Sequence, residues 1–494
     1  MQRRSFLGAG LACGFGPRSS EENVRHDCAA VAGRTVDRDT FATKVLTTAR
    51  DHVPALVVEA HREGMSVRDL LGAALLAGVR EVAPSPIGGP VHCMMMVASA
   101  SYLIRWLDDE LRLLPALFNL DRVKNSQTRD ENGPRFSMRA ASVDASVHEA
   151  PNASLEREFV TALRDWKLEH AEALAIELHD RLSANELFEL LWPAAIRDFR
   201  VIGHKAIYAS QARRALEDLG WRDGRDVVRS VLAGLLDQNP YDRATSKETR
   251  EILALYDANA ETAASLEIGS GANVPGVARD PARSRALELE LRTRAPEGAA
   301  AAMTAAARDG ADAGTLWDAL RLRSFDQVLR APTIAGVHPV TSINALHAIA
   351  TTTRDRHTAR TCLLQGASWL ALFEPLIEQR TPAERRALRI DTIEAGREKG
   401  NPSEPREEGQ RRSRAARLVA DGEYERFARL SASTLARKAR EDHDYKFAAA
   451  ALEEIANVAP ELAPSLAGAA MAFLHHEGDP DATVYDSVRK LGHK

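Results

Sequence analysis

The chain has 494 residues, with 65 Lys and Arg against 70 Asp and Glu and a formal net charge of −5. A slightly acidic chain with interspersed charges predicts no nucleic-acid partner, because phosphate binding needs a basic face. The sequence holds no run of about 18 or more apolar residues, so we predict no integral membrane segment.

The N-terminus, M-Q-R-R-S-F-L-G-A-G-L-A-C-G-F-G, resembles a twin-arginine export signal. Arg3 and Arg4 form the recognised pair, and a short apolar region follows from Phe6 to Ala12. An A-x-A site at residues 30–32 comes after a charged stretch. We expect residues 1–32 to direct the protein to the periplasm or the exterior, with the export machinery as partner. The alternative is a basic N-terminus on a cytoplasmic protein.

Helical periodicity dominates the rest of the chain, in which Ala, Leu, Arg and Glu are frequent and aromatic residues make up only 5%. No segment sustains the period-2 alternation of a strand between turn signals. We predict an all-α fold, a large multi-helix array of two packed lobes with long polar loops. The predicted helices lie near residues 39–62, 66–79, 92–118, 154–181, 183–200, 202–219, 224–236, 246–264, 281–308, 315–329, 339–353, 356–377, 413–439 and 445–474.

Three polar stretches predict loops, namely Asn125 to Asn152, Ile268 to Pro281 and Thr392 to Arg414. The last is a run of charge with one glycine and two prolines, typical of a mobile linker or lid. The predicted units are an N-terminal helical lobe, a central helical lobe, the charged linker or lid, and a C-terminal helical segment packing on the rest. Their ranges are 33–265, 266–391, 392–414 and 415–494.

The segment from Ala335 to His347, A-G-V-H-P-V-T-S-I-N-A-L-H, concentrates two histidines and a polar helical face. Pro339 favours the first position of a helix, which predicts His338 at or near the N-cap. Asn344 and His347 follow on one face. The two histidines are nine residues apart, about 13 Å along a helix, so they cannot bind one metal ion together. A capping histidine beside a polar core network is the alternative.

The helix near residue 200 carries His204, Tyr208 and Gln211 at spacings of four and three, about opposite an apolar stripe that begins at Ile202. A helix with one apolar face and one face of this composition is suited to line a pocket. The same face is equally suited to meet solvent, and both interpretations stay open.

The segment H-D-Y-K-F begins at His443 and predicts the start of another helix. In a functional interpretation, His443 acts as acid or base, while Tyr445 and Lys446 donate to an oxygen that becomes negative. In the structural interpretation, Asp442 or Asp444 simply caps the helix.

His92 follows a Gly-Gly-Pro turn and precedes three methionines, which we expect to fill the core. The motifs H-E-x-x-H, G-x-S-x-G and C-x-x-C-H are absent, as is any E-x-x-H pair typical of a di-iron bundle. The four cysteines form no C-x-x-C pair. We therefore expect histidines to carry any chemistry, with a transition metal as the candidate cofactor and otherwise none assigned. The predicted metal ligands are His92, His204 and His338; the predicted catalytic residues are His204, His338, His347, His443, Tyr208, Asn344 and Lys446.

Several motifs together resemble a group of large exported bacterial proteins of unassigned function. The motifs are the leader, P-V-H at residue 92, L-D-R-V-K-N-S-Q, R-D-F-R-V-I-G-H-K-A-I-Y, L-W-D-A-L, G-V-H-P-V-T-S-I-N-A-L-H and H-D-Y-K-F. The resemblance extends over residues 51 to 479. The chain departs from the pattern V-V-N-S-A-H expected after His92, having Ala98 and Ser101 in M-V-A-S-A-S. That departure implies an altered or depleted site if those positions contribute to it.

The segment H-P-V-T-S-I-N-A-L-H, with the following L-L-Q-G-A-S-W-L, is also similar to the questin oxidase-like family. Its fungal members are associated with oxidative ring opening of polyketide quinones. The resemblance implies an oxygenase or oxidoreductase activity, with His338, Asn344 and His347 as the matching positions. We therefore expect a histidine-lined pocket for redox or acid-base chemistry on a small organic molecule. The competing hypothesis is a non-catalytic helical binding or scaffold protein.

Overall fold

The computed structural model describes residues 37–129, 136–140, 143, 145–237, 247–268, 279–397 and 399–492. Within these ranges the chain forms 22 α-helices and a few 3-10 turns, without a strand, so the all-α prediction is confirmed. The predicted export signal and most of the predicted loop at 268–281 lie outside the described residues.

The helices in chain order are α1 (Arg38–Thr47), α2 (Val53–Arg62), α3 (Val67–Glu81), α4 (His92–Ile104), α5 (Leu113–Arg129), α6 (Ala145–Glu149), α7 (Asn152–Arg164), α8 (Leu168–Arg181), α9 (Ala184–Ile196), α10 (His204–Leu219), α11 (Gly224–Leu235), α12 (Lys247–Ser265), α13 (Pro281–Leu291), α14 (Pro296–Arg308), α15 (Ala313–Arg330), α16 (Ile334–Thr352), α17 (Arg356–Arg380), α18 (Glu408–Ala420), α19 (Tyr424–Lys438), α20 (Asp442–Asn457), α21 (Ala463–Ala470) and α22 (Thr483–Gly492).

Local chemistry explains where many helices begin and end. The Ser183 and Glu186 side chains form a reciprocal capping box at the start of α9, which satisfies two backbone N–H groups. Helix α10 ends at Gly220, whose φ of 103° is open to glycine at little cost. The single helix predicted over 281–308 is divided, because Pro296 lacks an N–H and instead starts α14.

The predicted linker or lid at 392–414 is partly helical. Residues from Glu408 onward belong to α18, and the buried Arg414 in that helix donates a hydrogen bond of 2.8 Å to Glu404. The preceding described residues, from 393 to 407, have no regular secondary structure. The helix therefore begins five residues before the predicted start at 413, and the lid role stays a prediction.

The prediction that His338 lies at an N-cap is wrong. Helix α16 begins at Ile334, with Thr333 as its N-cap, and Pro339 lies inside the helix. Ala335 and Val337 are buried, so packing of this first turn overrides the preference of proline for a helix start. His338 is thereby held on a fully buried helical turn.

Four of these helices surround one point in the core. Helix α4 packs against α10, α10 against α16, α16 against α20, and α20 against α4. Each of the four carries one histidine in its first five residues. In the described part of the chain, no helix is long and apolar enough to cross a lipid bilayer.

Candidate metal centre

Three histidines from α4, α10 and α16 bring their Nε2 atoms together. The Nε2 atom of His204 lies 2.8 Å from Nε2 of His92 and 3.1 Å from Nε2 of His338. One nitrogen from each ring falls within 4.8 Å of the others, and all three side chains are buried. The three residues predicted as metal ligands are therefore neighbours, although they are separated by more than 100 residues at each step of the sequence.

The backbone before α10 brings His204 close to His338. Ile202 and Gly203 both adopt positive φ angles, 49° and 79°. A Cβ atom at Gly203 would lie 2.3 Å from the Ser342 Oγ atom on α16, so only glycine permits this approach. A β-branched residue in the left-handed region, such as Ile202, is strained, and such strain is concentrated at functional sites. The turn therefore seats the first residue of α10 directly against α16.

Two of the imidazoles have a tautomer fixed by the backbone. His204 Nδ1 lies 2.6 Å from the Val201 carbonyl oxygen, and His338 Nδ1 lies 2.5 Å from the Ile334 carbonyl oxygen. A carbonyl oxygen only accepts, so each Nδ1 carries the proton and donates it. In a neutral ring the lone pair then lies on Nε2, directed into the cluster.

Burial keeps these rings neutral. It lowers the pKa of His204 to about 3, and it lowers the pKa values of His92 and His338 well below the ordinary range of histidine. The Lys446 amine and the neighbouring imidazoles lower these pKa values further. Neutral imidazole is the form that binds a metal ion.

The cluster is nearly the right size for one metal ion. Metal–nitrogen bonds of about 2.0–2.1 Å in a tetrahedral site separate neighbouring nitrogens by about 3.3 Å. The distances of 2.8 and 3.1 Å around His204 need to widen by about 0.2 to 0.5 Å, and the remaining nitrogen pair, on His92 and His338, lies within 4.8 Å. Protons of the His204 and His338 rings point to backbone carbonyls, the usual arrangement that orients a ligating histidine.

A fourth histidine and a lysine from α20 border the cluster. The ring centroid of His443 lies 4.5 Å from that of His92 and 5.2 Å from that of His338. Among the described residues, no hydrogen-bond partner reaches either ring nitrogen of His443 or the amine of Lys446. The nearest carboxylate oxygen to His443 Nδ1 belongs to Glu441 at 3.6 Å, too long for a hydrogen bond. Burial lowers the pKa of Lys446 to about 7, although Asp442 and Glu441 oppose the shift.

The start of α20 is fixed by a different set of acids. The N-cap is Glu441, not Asp442 or Asp444 as predicted. Asp444 closes a capping box and its carboxylate also lies 3.2 Å from His475 Nε2, while Asp442 accepts two hydrogen bonds from Arg122, of 2.7 and 3.1 Å. The aspartates therefore anchor the helix and are not aimed at the histidine cluster.

His347 and Asn344 lie in a second buried cluster. Arg321 on α15 donates to His347 Nε2 at 2.9 Å and to Glu454 at 2.6 Å. The amide of Asn344 donates to Glu453 and Glu454, both at 2.7 Å. Because a guanidinium N–H occupies the His347 Nε2 lone pair, that nitrogen is not a free metal ligand. The predicted polar face of α16 exists, but its C-terminal half does not share the site of His338.

The predicted polar face of α10 is buried, so the interpretation that it meets solvent is wrong. Tyr208 and Gln211 are 1% and 6% exposed. The Tyr208 hydroxyl lies 2.7 Å from Ser230 Oγ and donates to the sulfur of Met94 at 3.3 Å. Tyr208 therefore packs between α4 and α11 in a pair of its own, and its catalytic role stays a prediction that these contacts do not favour.

Sequence reasoning missed the residues that orient the ligands. The carbonyl groups of Val201 and Ile334 accept the imidazole protons, and Gly203 makes the close approach to α16. The glycine immediately before His204 was the available signal, because a glycine preceding a helix often marks a required positive φ. The carbonyl partners left no signal, because every residue type carries one.

Comparisons of the chain with protein-family models, with curated proteins and with solved structures give no match. Only the geometry and chemistry of the chain's own residues therefore bear on its function.

Proposed function

We propose that the protein is a metalloenzyme in which His92, His204 and His338 bind one divalent first-row transition metal ion. The observation that carries the proposal is the pair of Nε2 atoms on His204 and His338, which lie 3.1 Å apart. With both Nδ1 atoms protonated, both Nε2 atoms carry lone pairs, and two buried acceptors facing each other repel. A His92 Nε2–H group can satisfy one of them, but a cation satisfies all three rings at once.

The donor set narrows the choice of metal. Among the described residues, the group that could hold a metal consists of three imidazoles with no thiolate or carboxylate. Such a set suits zinc, copper, iron or nickel better than magnesium or calcium, which prefer oxygen. Catalytic sites with three protein ligands leave a further position for water or substrate. When bound, such an ion supplies Lewis acidity or, for iron and copper, electron transfer.

His443 is the residue best suited to handle a proton beside this site. Its ring nitrogens have no hydrogen-bond partner among the described residues, and its ring borders both His92 and His338. Burial lowers its pKa, so it is neutral near pH 7 and accepts a proton at a ring nitrogen.

We propose a redox reaction on a small organic molecule, since the residues around His338 are similar to the questin oxidase-like family and an imidazole site suits redox metals.

The test is the metal content of the purified full chain. We expect roughly one transition metal ion per chain in the wild type, and a loss of affinity greater than about 100-fold in His204→Ala and in His338→Ala. The matched control is His347→Gln, a buried histidine of the same helix whose acceptor role the glutamine amide oxygen retains. It should keep the wild-type metal content. Retention of metal in both alanine variants would remove these residues as ligands.

The second candidate is a non-catalytic, structural role of the metal site, and the burial of the cluster favours it. The side chains of His92, His204 and His338 are at most 6% exposed, so a metal here would also cross-link α4, α10 and α16. Structural zinc sites are closed by four protein ligands. The number of imidazole rings on the metal, measured by X-ray absorption of the metal-loaded protein, distinguishes the two cases: four rings that fall to three in His443→Ala indicate a closed structural site, and three rings in both proteins indicate an open one.

We further propose export of the protein by the twin-arginine route. The supporting feature is the Arg3-Arg4 pair followed by a short apolar region. Replacing both arginines by lysine should leave the protein in the cytoplasm, as measured by cell fractionation. Unchanged localisation of the double variant would overturn this route.

A further inference from the structure

The charges around the histidine cluster are unbalanced. A divalent ion held by three neutral imidazoles would keep its full positive charge in a buried site, which is costly unless an anion compensates it. Two acids in the first turn of α20 already have partners: Asp442 pairs with Arg122, and Asp444 caps the helix and contacts His475. Glu441 remains, but its side chain is 43% exposed and serves as the N-cap.

Lys446 adds a donor to this site. It lies three residues after His443 on α20, hence on the same side of the helix. Its side chain is 2% exposed, and no acceptor for its amine is found among the residues that the structure describes. The charge of this amine lowers the pKa values of the three cluster histidines and of His443. A buried amine without an acceptor costs about 1–3 kcal/mol or more, so an acceptor from outside the chain is expected.

The helix ends around the cluster also favour negative charge. His92 and His204 are the first residues of α4 and α10, and neither helix has a side-chain cap in the described part of the chain. His443 is the second residue of α20. Helix N-termini carry a partial positive charge and attract anions. Two helix N-termini, those of α4 and α10, therefore converge on the imidazoles, and the N-terminus of α20 beside them is already capped by Glu441 and Asp444.

We propose that the metal site binds its small organic ligand through a deprotonated oxygen, a carboxylate or a phenolate, and that the Lys446 amine donates a hydrogen bond to that oxygen. This inference rests on the metal-binding function proposed above. The oxygen fills the open metal position, compensates the buried charge and supplies the acceptor that Lys446 lacks within the described residues. An amine donates in either protonation state, so the contact does not depend on the charge of the lysine.

The test uses the full chain loaded with cobalt(II), whose visible absorption reports each ligand that binds the metal. Formate is the carboxylate probe, phenol the phenolate probe, and imidazole a neutral ligand for comparison. We expect Lys446→Met to weaken formate and phenol binding by about tenfold or more, the loss of a hydrogen bond to a charged group. Imidazole binding should change less than about twofold, because it needs no donor from Lys446.

A second variant, Lys446→Gln, keeps an N–H donor on a shorter side chain and should fall between the wild type and Lys446→Met. Selective loss for formate alone identifies a carboxylate site, and selective loss for phenol alone a phenolate site; both support the proposal. Equal weakening of all three ligands, unchanged anion binding, or no anion binding by the wild type would overturn it while leaving the metal site intact. Failure of the wild type to bind cobalt would instead overturn the metal-binding function itself.

Discussion

The two ends of helix α16 carry polar clusters that differ in how completely the protein satisfies them. At the C-terminal end, Asn344 and His347 meet Arg321, Glu453 and Glu454 through hydrogen bonds of 2.6 to 2.9 Å. Within the described residues, this network leaves no buried side-chain nitrogen or oxygen without a partner. The network braces α15, α16 and α20 against one another.

At the N-terminal end, the same helix presents His338 to a cluster that is incomplete. Nε2 of His338 faces Nε2 of His204, while His443, Lys446 and the Ser342 hydroxyl find no partner in the part of the chain that the structure describes. Each unsatisfied buried group costs about 1–3 kcal/mol. The same fold completes one cluster with its own residues, and this difference is the reason we propose a ligand from outside the chain for the other.

The largest expected effect on stability comes from a substitution in the complete cluster. Arg321→Met should lower the free energy of unfolding by about 3–5 kcal/mol, because it removes the buried guanidinium that pairs with the carboxylates of Asp318 and Glu454. Among the described residues, Asp318 then keeps only Arg279 as a charged partner, and Glu454 keeps the neutral amide of Asn344. Urea unfolding followed by circular dichroism measures this loss. The metal affinity of the folded variant should stay at the wild-type value.

The control for Arg321→Met is an exposed ion pair. Arg429 pairs with Glu425 at the surface of α19, and the side chains are 61% and 72% exposed. Arg429→Met should therefore change stability by less than about 1 kcal/mol. Equal effects of the two substitutions would contradict the view that the Arg321 network is a structural brace.

The sequence predicted the fold class well, because helical periodicity and caps are local. The end of α10 at Gly220 and the polar face of α16 both follow from residues within a few turns. Local rules failed for His338, where the preference of Pro339 for a helix start was outweighed by burial of the preceding turn. Packing of that kind depends on distant residues and leaves no mark in the segment itself.

The sequence predicted which histidines lie at the candidate site better than it predicted which residues they contact. Helical rise separates His338 from His347, and this spacing correctly pointed to partners on other helices. The sequence did not reveal that Arg321 occupies His347 Nε2, since two buried histidines on one helix look alike until their neighbours are known. It also assigned Tyr208 to the site, because helical spacing defines a face but not the helix against which it packs.

A substitution in the incomplete cluster should raise the free energy of unfolding, whereas Arg321→Met in the complete cluster should lower it. Lys446→Met should raise the stability of the metal-free protein by about 1–3 kcal/mol, because it removes a buried amine that has no acceptor among the described residues. Substitution of a buried lysine by methionine keeps the apolar volume. A loss of stability in the metal-free protein would show that Lys446 already has a partner within the chain.

Lys446 should also make stability depend on pH in a defined window. Burial lowers the pKa of its amine to about 7 in the folded protein, below the ordinary value of 10.5. Between these values the unfolded chain holds a proton that the folded chain has lost, so stability should rise with pH from about 7 to 10.5. The contribution to the slope is at most about 1.4 kcal/mol per pH unit, and it should disappear in Lys446→Met.

The smallest expected effect on stability is that of Tyr208→Phe, which tests whether Tyr208 belongs to the incomplete cluster. Tyr208→Phe removes a hydrogen bond of 2.7 Å to Ser230 and should lower the free energy of unfolding by about 1 kcal/mol, with metal affinity unchanged within about twofold. Adding Ser230→Ala should cost less than the sum of the two single substitutions, because both partners of one hydrogen bond are then gone. If Tyr208→Phe instead weakened metal binding or abolished activity while stability stayed constant, the hydroxyl would belong to the site beside His204. The catalytic role that helical spacing predicted for Tyr208 would then be supported, and Tyr208 would have to be counted among the residues of the incomplete cluster.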